Sequence, residues 1–102
     1  MRWQLPVFAV LVRGPSMAPA LRSGDALLAR RGGRVRPGDL VIARFRARPD
    51  LLVVKRAVRE QDGGWWLRGD NDLVRDDSRA YGVADVIGRV LLRYWPQPSR
   101  LS

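Results

Sequence analysis

The chain has 102 residues and a mass of 11.5 kDa, room for one domain with a modest core and for no second domain of typical size. It contains no histidine, cysteine or threonine, which excludes Cys/His zinc sites, haem ligation, iron–sulfur clusters, disulfides and Ser-His-Asp or Cys-His catalysis. Nineteen cationic against ten acidic residues leave a formal charge of +9. The arginines are interleaved with aspartates instead of forming a stripe or an aromatic platform, which argues against a dedicated nucleic-acid function.

Short apolar runs bounded by Gly, Pro and Asp recur along the chain, and helical periodicity is hard to find. Strands are predicted over Val7–Val12, Ala26–Arg30, Leu40–Phe45, Leu51–Val58, Trp65–Arg68 and Val86–Trp95. Gly14-Pro15 ends the first strand, and Asp62-Gly63-Gly64 reads as a hairpin turn. A helical turn each is expected at Pro19–Leu21 and Asp77–Tyr81. The pattern predicts an all-β fold, a single domain over 1–102 with its core at about 7–95 and a flexible tail from Pro96 onward. The apolar run Leu5–Val12 is far shorter than the ~20 residues a membrane span needs, and it lacks a convincing cleavage site. A cytoplasmic location is expected on that ground.

Eighteen of the cationic residues are arginine, and Lys55 is the only lysine. Arginine stays protonated in proteins, whereas a desolvated lysine becomes a neutral amine at working pH, so Lys55 is a candidate general base. Period-two alternation puts it on one strand face with Leu51, Val53 and Ala57, where burial lowers its pKa. A lysine base needs a nucleophile. Of the serines, Ser16 lies in Gly14-Pro15-Ser16-Met17, directly after a strand, where a tight turn projects its hydroxyl and leaves its N–H free for an oxyanion.

Ser16-Met17-x-Pro19, Gly24-Asp25, Val54-Lys55-Arg56, Gly69-Asp70-Asn71, Asp77-Ser78-Arg79 and Gly88-Arg89-Val90 follow one another along the chain. This series resembles the Ser-Lys proteases of the signal peptidase I family, which share a β-fold with self-cleaving repressor domains. Val35-Arg36-Pro37-Gly38-Asp39, Gly64-Trp65-Trp66 and Arg93-Tyr94-Trp95-Pro96 look most like the nickel-type superoxide dismutase maturation proteases within it. The resemblance implies a serine endopeptidase without metal or cofactor that removes the N-terminal propeptide of a nickel superoxide dismutase precursor. It implies Ser16 as nucleophile and oxyanion-hole N–H donor, and Lys55 as general base. Gly14, Pro15, Met17 and Pro19 would shape the turn and the cleft wall. Gly69, Asp70, Asn71, Asp77, Ser78 and Arg79 would support the strands around Lys55.

Three positions depart from the family pattern. Gly14 replaces a hydroxyl residue that completes the oxyanion hole in some members, Ala20 stands where threonine is common, and Arg75 stands where some signal peptidases carry a serine bonded to the lysine. Three rival readings carry their own expectations: signal peptidase-like processing of other precursors, a repressor-like regulatory binding domain, and peripheral membrane contact through Trp65 and Trp66. Repressor-like domains resemble the Ser-Met-x-Pro and Val-Lys boxes but not Gly-Asp-Asn or Asp-Ser-Arg.

Overall fold

The computed structural model describes residues 6–101; Leu5 and Ser102 lie outside the described residues. Seven strands form in chain order: β1 (Val7–Leu11), β2 (Ala26–Arg31), β3 (Leu40–Phe45), β4 (Arg48–Gln61), β5 (Gly64–Arg68), β6 (Ala84–Trp95) and β7 (Ser99–Arg100), with one short helix, α1 (Ser78–Tyr81), between β5 and β6. The fold is all-β, as the sequence pattern predicts. All strand pairings are antiparallel, in the order β1-β2-β6-β3-β4-β5, and β5 also meets β6 through Trp65↔Ala84. That last pairing closes β3, β4, β5 and β6 into a ring.

Two apolar cores result, and β3 separates them. Leu40 and Ile42 face the first core with Val12, Met17, Leu21, Leu27, Ala29 and Val90. Val41, Ala43 and Phe45 alternate to the other side and join Ala57, Leu67 and Ala84 inside the ring. β6 serves both cores although Val86 and Val90 have the same parity. The reason is a register shift: Ala43 pairs with Val86 but Ile42 pairs with Gly88, so a bulge at Ile87 turns the later residues over.

Element ends differ from the sequence expectation where turn chemistry decides them. Arg46-Ala47 suffices to turn the chain, so β4 starts at Arg48. Pro49 is tolerated because it falls in the register irregularity between Phe45↔Arg48 and Arg44↔Leu52, where no ladder donor is needed. The β4–β5 turn uses Asp62 (φ 51°) and Gly63 (φ 75°), two successive left-handed residues that match the twist of a tight hairpin. Gly64 already belongs to β5, and a Cβ there would lie 2.4 Å from the Ala84 carbonyl oxygen. At Pro19–Leu21 no helix forms; the Leu21 N–H donates to the Met17 carbonyl at 2.9 Å as a lone turn.

The tail after Pro96, expected to be flexible, carries a short strand: Ser99 and Arg100 pair with Arg93 and Leu92, and Leu101 packs on the first core. Trp65 packs against the ring core, and Trp66 lies under the Arg59 guanidinium, 5.0 Å from its ring centre.

Candidate active site

β4 places Lys55 opposite Val41, so its side chain emerges on the ring-core face beside Val53 and Ala57. Only 3% of the residue is exposed. Burial pushes the amine below its ordinary value of 10.5, and Arg79 adds to the shift; Asp77 and Asp76 oppose it without reversing it. None of the ion pairs among the described residues includes Lys55. No enclosed side-chain nitrogen or oxygen there lacks a partner, so the unpaired amine must reach the space in front of it.

That space is a cleft of about 380 Å³ that Ser16 also lines. One wall is the end of β1 and the following turn, Val10 to Met17; the other is Leu51 to Lys55 of β4. Phe45, Val74, Asp76 and Tyr81 complete it. The Phe45 and Tyr81 rings pack with centroids 5.2 Å apart, which fixes that end. Leu11 and Leu52, each about half exposed, stand at its rim.

The Ser16 turn is shaped by its neighbours. Gly14 has φ 84°, a left-handed value that favours glycine, and its N–H donates to Ser23 Oγ at 3.2 Å. The Gly14 amide is therefore engaged with Ser23 and not with Ser16. The Ser16 amide has no acceptor among the described residues and is free to bind an oxyanion. Met17 is buried in the first core while lining the cleft; Pro19 is exposed and takes no part in the lining.

The Gly-Asp-Asn box grips this turn. The Asn71 N–H donates to the Ser16 carbonyl at 2.9 Å, and Asn71 Nδ2 donates to the Pro15 carbonyl at 3.0 Å. The Asp70 N–H donates to Met17 Sδ at 3.4 Å. Gly69 approaches so closely that a Cβ would sit 2.7 Å from the Ser16 oxygen. The same box reaches Lys55's strand, because Arg56 makes a two-pronged pair with the Asp70 carboxylate, at 3.2 and 2.6 Å. One short segment thus ties the serine turn to the lysine strand. Its support therefore extends beyond the strands around Lys55.

Asp77 and Ser78 anchor that segment in turn. The fully buried Asp77 carboxylate accepts from the Gly69 N–H at 2.8 Å, from the Arg79 N–H, and twice from the Arg79 guanidinium. Burial alone would raise its pKa, but these donors outweigh that and hold it below the usual carboxylate range. Ser78 Oγ accepts from the Leu67 N–H at 2.7 Å. Arg75 is exposed. Sequence reasoning missed Asp76, Val74, Tyr81 and the Arg56–Asp70 coupling; only adjacency to the quoted boxes hinted at them.

Residues 3–91 match the family described as Peptidase S24-like. The chain belongs to that family. It is 32% identical to mitochondrial inner membrane protease subunit 1 of Xenopus tropicalis, across 88% of this chain and 70% of that protein. It is also 32% identical to mitochondrial ATP-independent inner membrane protease subunit 1a of Arabidopsis thaliana, across 83% of this chain and 68% of the relative. A signal peptidase complex catalytic subunit sec11 of Pyrenophora tritici-repentis is 34% identical over 80% of this chain, which spans only 54% of that longer protein. The family and these relatives make the chain a peptidase of the serine type. No helix among the described residues is long and apolar enough to cross a membrane.

Proposed function

We propose that this peptidase is an endopeptidase working through a Ser16–Lys55 dyad to remove the N-terminal propeptide of a precursor protein. The observation that carries the reading is the meeting of the chain's one lysine, buried and with a lowered pKa, with Ser16 in one open cleft. Among the described contacts no hydrogen bond joins the two side chains, and catalytic hydrogen bonds are often long in the absence of substrate. The outer edges of β1 and of β4 before Arg56 have no strand partner among the described residues, so an extended peptide finds main-chain partners on either wall.

In this mechanism the neutral Lys55 amine takes the Ser16 hydroxyl proton as Oγ attacks the scissile carbonyl carbon. The Ser16 N–H stabilises the oxyanion of the tetrahedral intermediate. The lysinium then protonates the departing amine nitrogen, the C–N bond breaks, and an acyl ester on Ser16 remains. Lys55 deprotonates a water molecule that attacks this ester, and the proton returns to Oγ as the acid product leaves.

The substrate proposed is a nickel superoxide dismutase precursor, on the resemblance of the Val35–Asp39, Gly64–Trp66 and Arg93–Pro96 segments. Mixing the purified precursor with this protein tests both parts, with product termini read by mass spectrometry. Lys55→Arg keeps charge and bulk but no titratable amine, so cleavage should fall by about 10²–10⁴-fold. Undiminished cleavage by that variant overturns the dyad. An uncut precursor, with other peptides still hydrolysed, overturns the substrate alone.

A further inference from the structure

The cleft carries one acidic side chain, Asp76, on walls that are otherwise mostly apolar. The aspartates before and after it in sequence are committed within the molecule: Asp72 pairs with Arg68 at 3.2 Å and Asp77 with Arg79 at 2.7 Å. Asp76 is exposed and enters no ion pair among the described residues, although the chain holds eighteen arginines. A carboxylate left open at the mouth of an apolar groove is a ready partner for a cation brought in from outside, and its attraction is stronger there than on a fully wetted surface.

We infer that Asp76 is a specificity-determining residue that makes the cleft select a peptide with a lysine or arginine side chain close to the scissile bond. The inference rests on the peptidase reading above. Asp76 is near enough to Lys55 to oppose the lowering of its pKa, so the cation it attracts lies beside the chemistry and not at a remote rim. Arg13, on the β1 wall of the same cleft, is exposed and likewise takes part in no ion pair among the described residues. It repels a basic side chain at its own end. The preference is therefore positional: a cation on the Asp76 side and none beside Arg13.

The test starts from whichever sequence the wild-type chain cleaves in a random peptide library, remade with Lys, Gln or Glu at each position in turn. At one position the wild type should cleave the Lys peptide about 5-fold faster than the Gln peptide. Asp76→Asn should level that ratio, and Asp76→Lys should favour Glu. Asp76→Asn also moves Lys55's pKa and so all rates together, which is why the ratio between peptides is the readout. A wild type that cleaves without charge preference, or an Asp76→Asn variant that keeps it, overturns the inference and leaves the peptidase standing. Should the wild type cleave no member of the library, the library peptide that binds Ser16→Ala most tightly, remade with Lys, Gln or Glu at each position and titrated against that variant, separates the two claims. Lys-over-Gln ranking there with no hydrolysis by the wild type overturns the peptidase alone, and absence of that ranking counts against Asp76.

Discussion

Lys55 leaves β4 beside Val53 and Ala57 on the ring-core face, and the lowered proton affinity of its amine has consequences for both rate and stability. In the proposed mechanism the neutral amine is the active form, so kcat/KM should rise with pH along a limb centred below 10.5. Stability follows the same proton. Between the folded and unfolded pKa values the unfolded chain binds more protons, so Lys55's contribution to stability grows as pH rises through that interval. Below it, the folded state carries the full cost of a buried cation. Lys55→Met should therefore be more stable than the wild type at neutral pH, with the gain shrinking as pH climbs toward 10.5. Urea titrations at a series of pH values measure this, and a gain that does not change with pH contradicts it.

Among the elements, the segment from Gly69 to Arg79 is a bracket. Its first residues hold the Ser16 turn, Asp70 holds Arg56 next to Lys55, and Asp77 with Ser78 holds the bracket's own backbone. Ser16 lies in the turn after β1 and Lys55 on β4, two strands that do not pair with each other, so this link helps to set their relative position. Gly69→Ala is expected to push the Ser16 carbonyl away, since backbone stands 2.7 Å from the new methyl. Such overpacking costs about 1–3 kcal/mol. Turnover should fall well beyond what the lost folded fraction explains, in a comparison of urea midpoint with kcat on one sample. A variant that loses stability but keeps its kcat would show that the bracket does not position the serine.

For the molecule as a whole, β3 and β6 are the shared walls of two cores, and the tail closes the first of them. Deleting residues 97–102 removes β7 and uncovers part of that core by taking Leu101 away. About 1–2 kcal/mol of stability should be lost, the scale of one partly buried leucine. The cleft takes no lining residue from the tail, so peptide hydrolysis at a temperature where both forms are folded should not change. Thermal melts and rate assays on the two forms check this; equal melting temperatures would mean that the tail contributes nothing.

The sequence alone determined the all-β class, six of the seven strands, the Asp62-Gly63 hairpin and the helical turn at Asp77–Tyr81. Those features follow from period-two alternation and from turn residues, which are local chemistry. The absent histidine and cysteine, and the one lysine, also narrow the candidate chemistry. Only the tertiary structure decided the Ile87 bulge, the ring closure at Trp65↔Ala84, the return of the tail, and the meeting of Asn71 with Pro15 and Ser16. Each of these depends on which distant segments become neighbours. Asp76 reads as one more charge in a polar loop until Val10–Met17 and Leu51–Lys55 face it across the cleft.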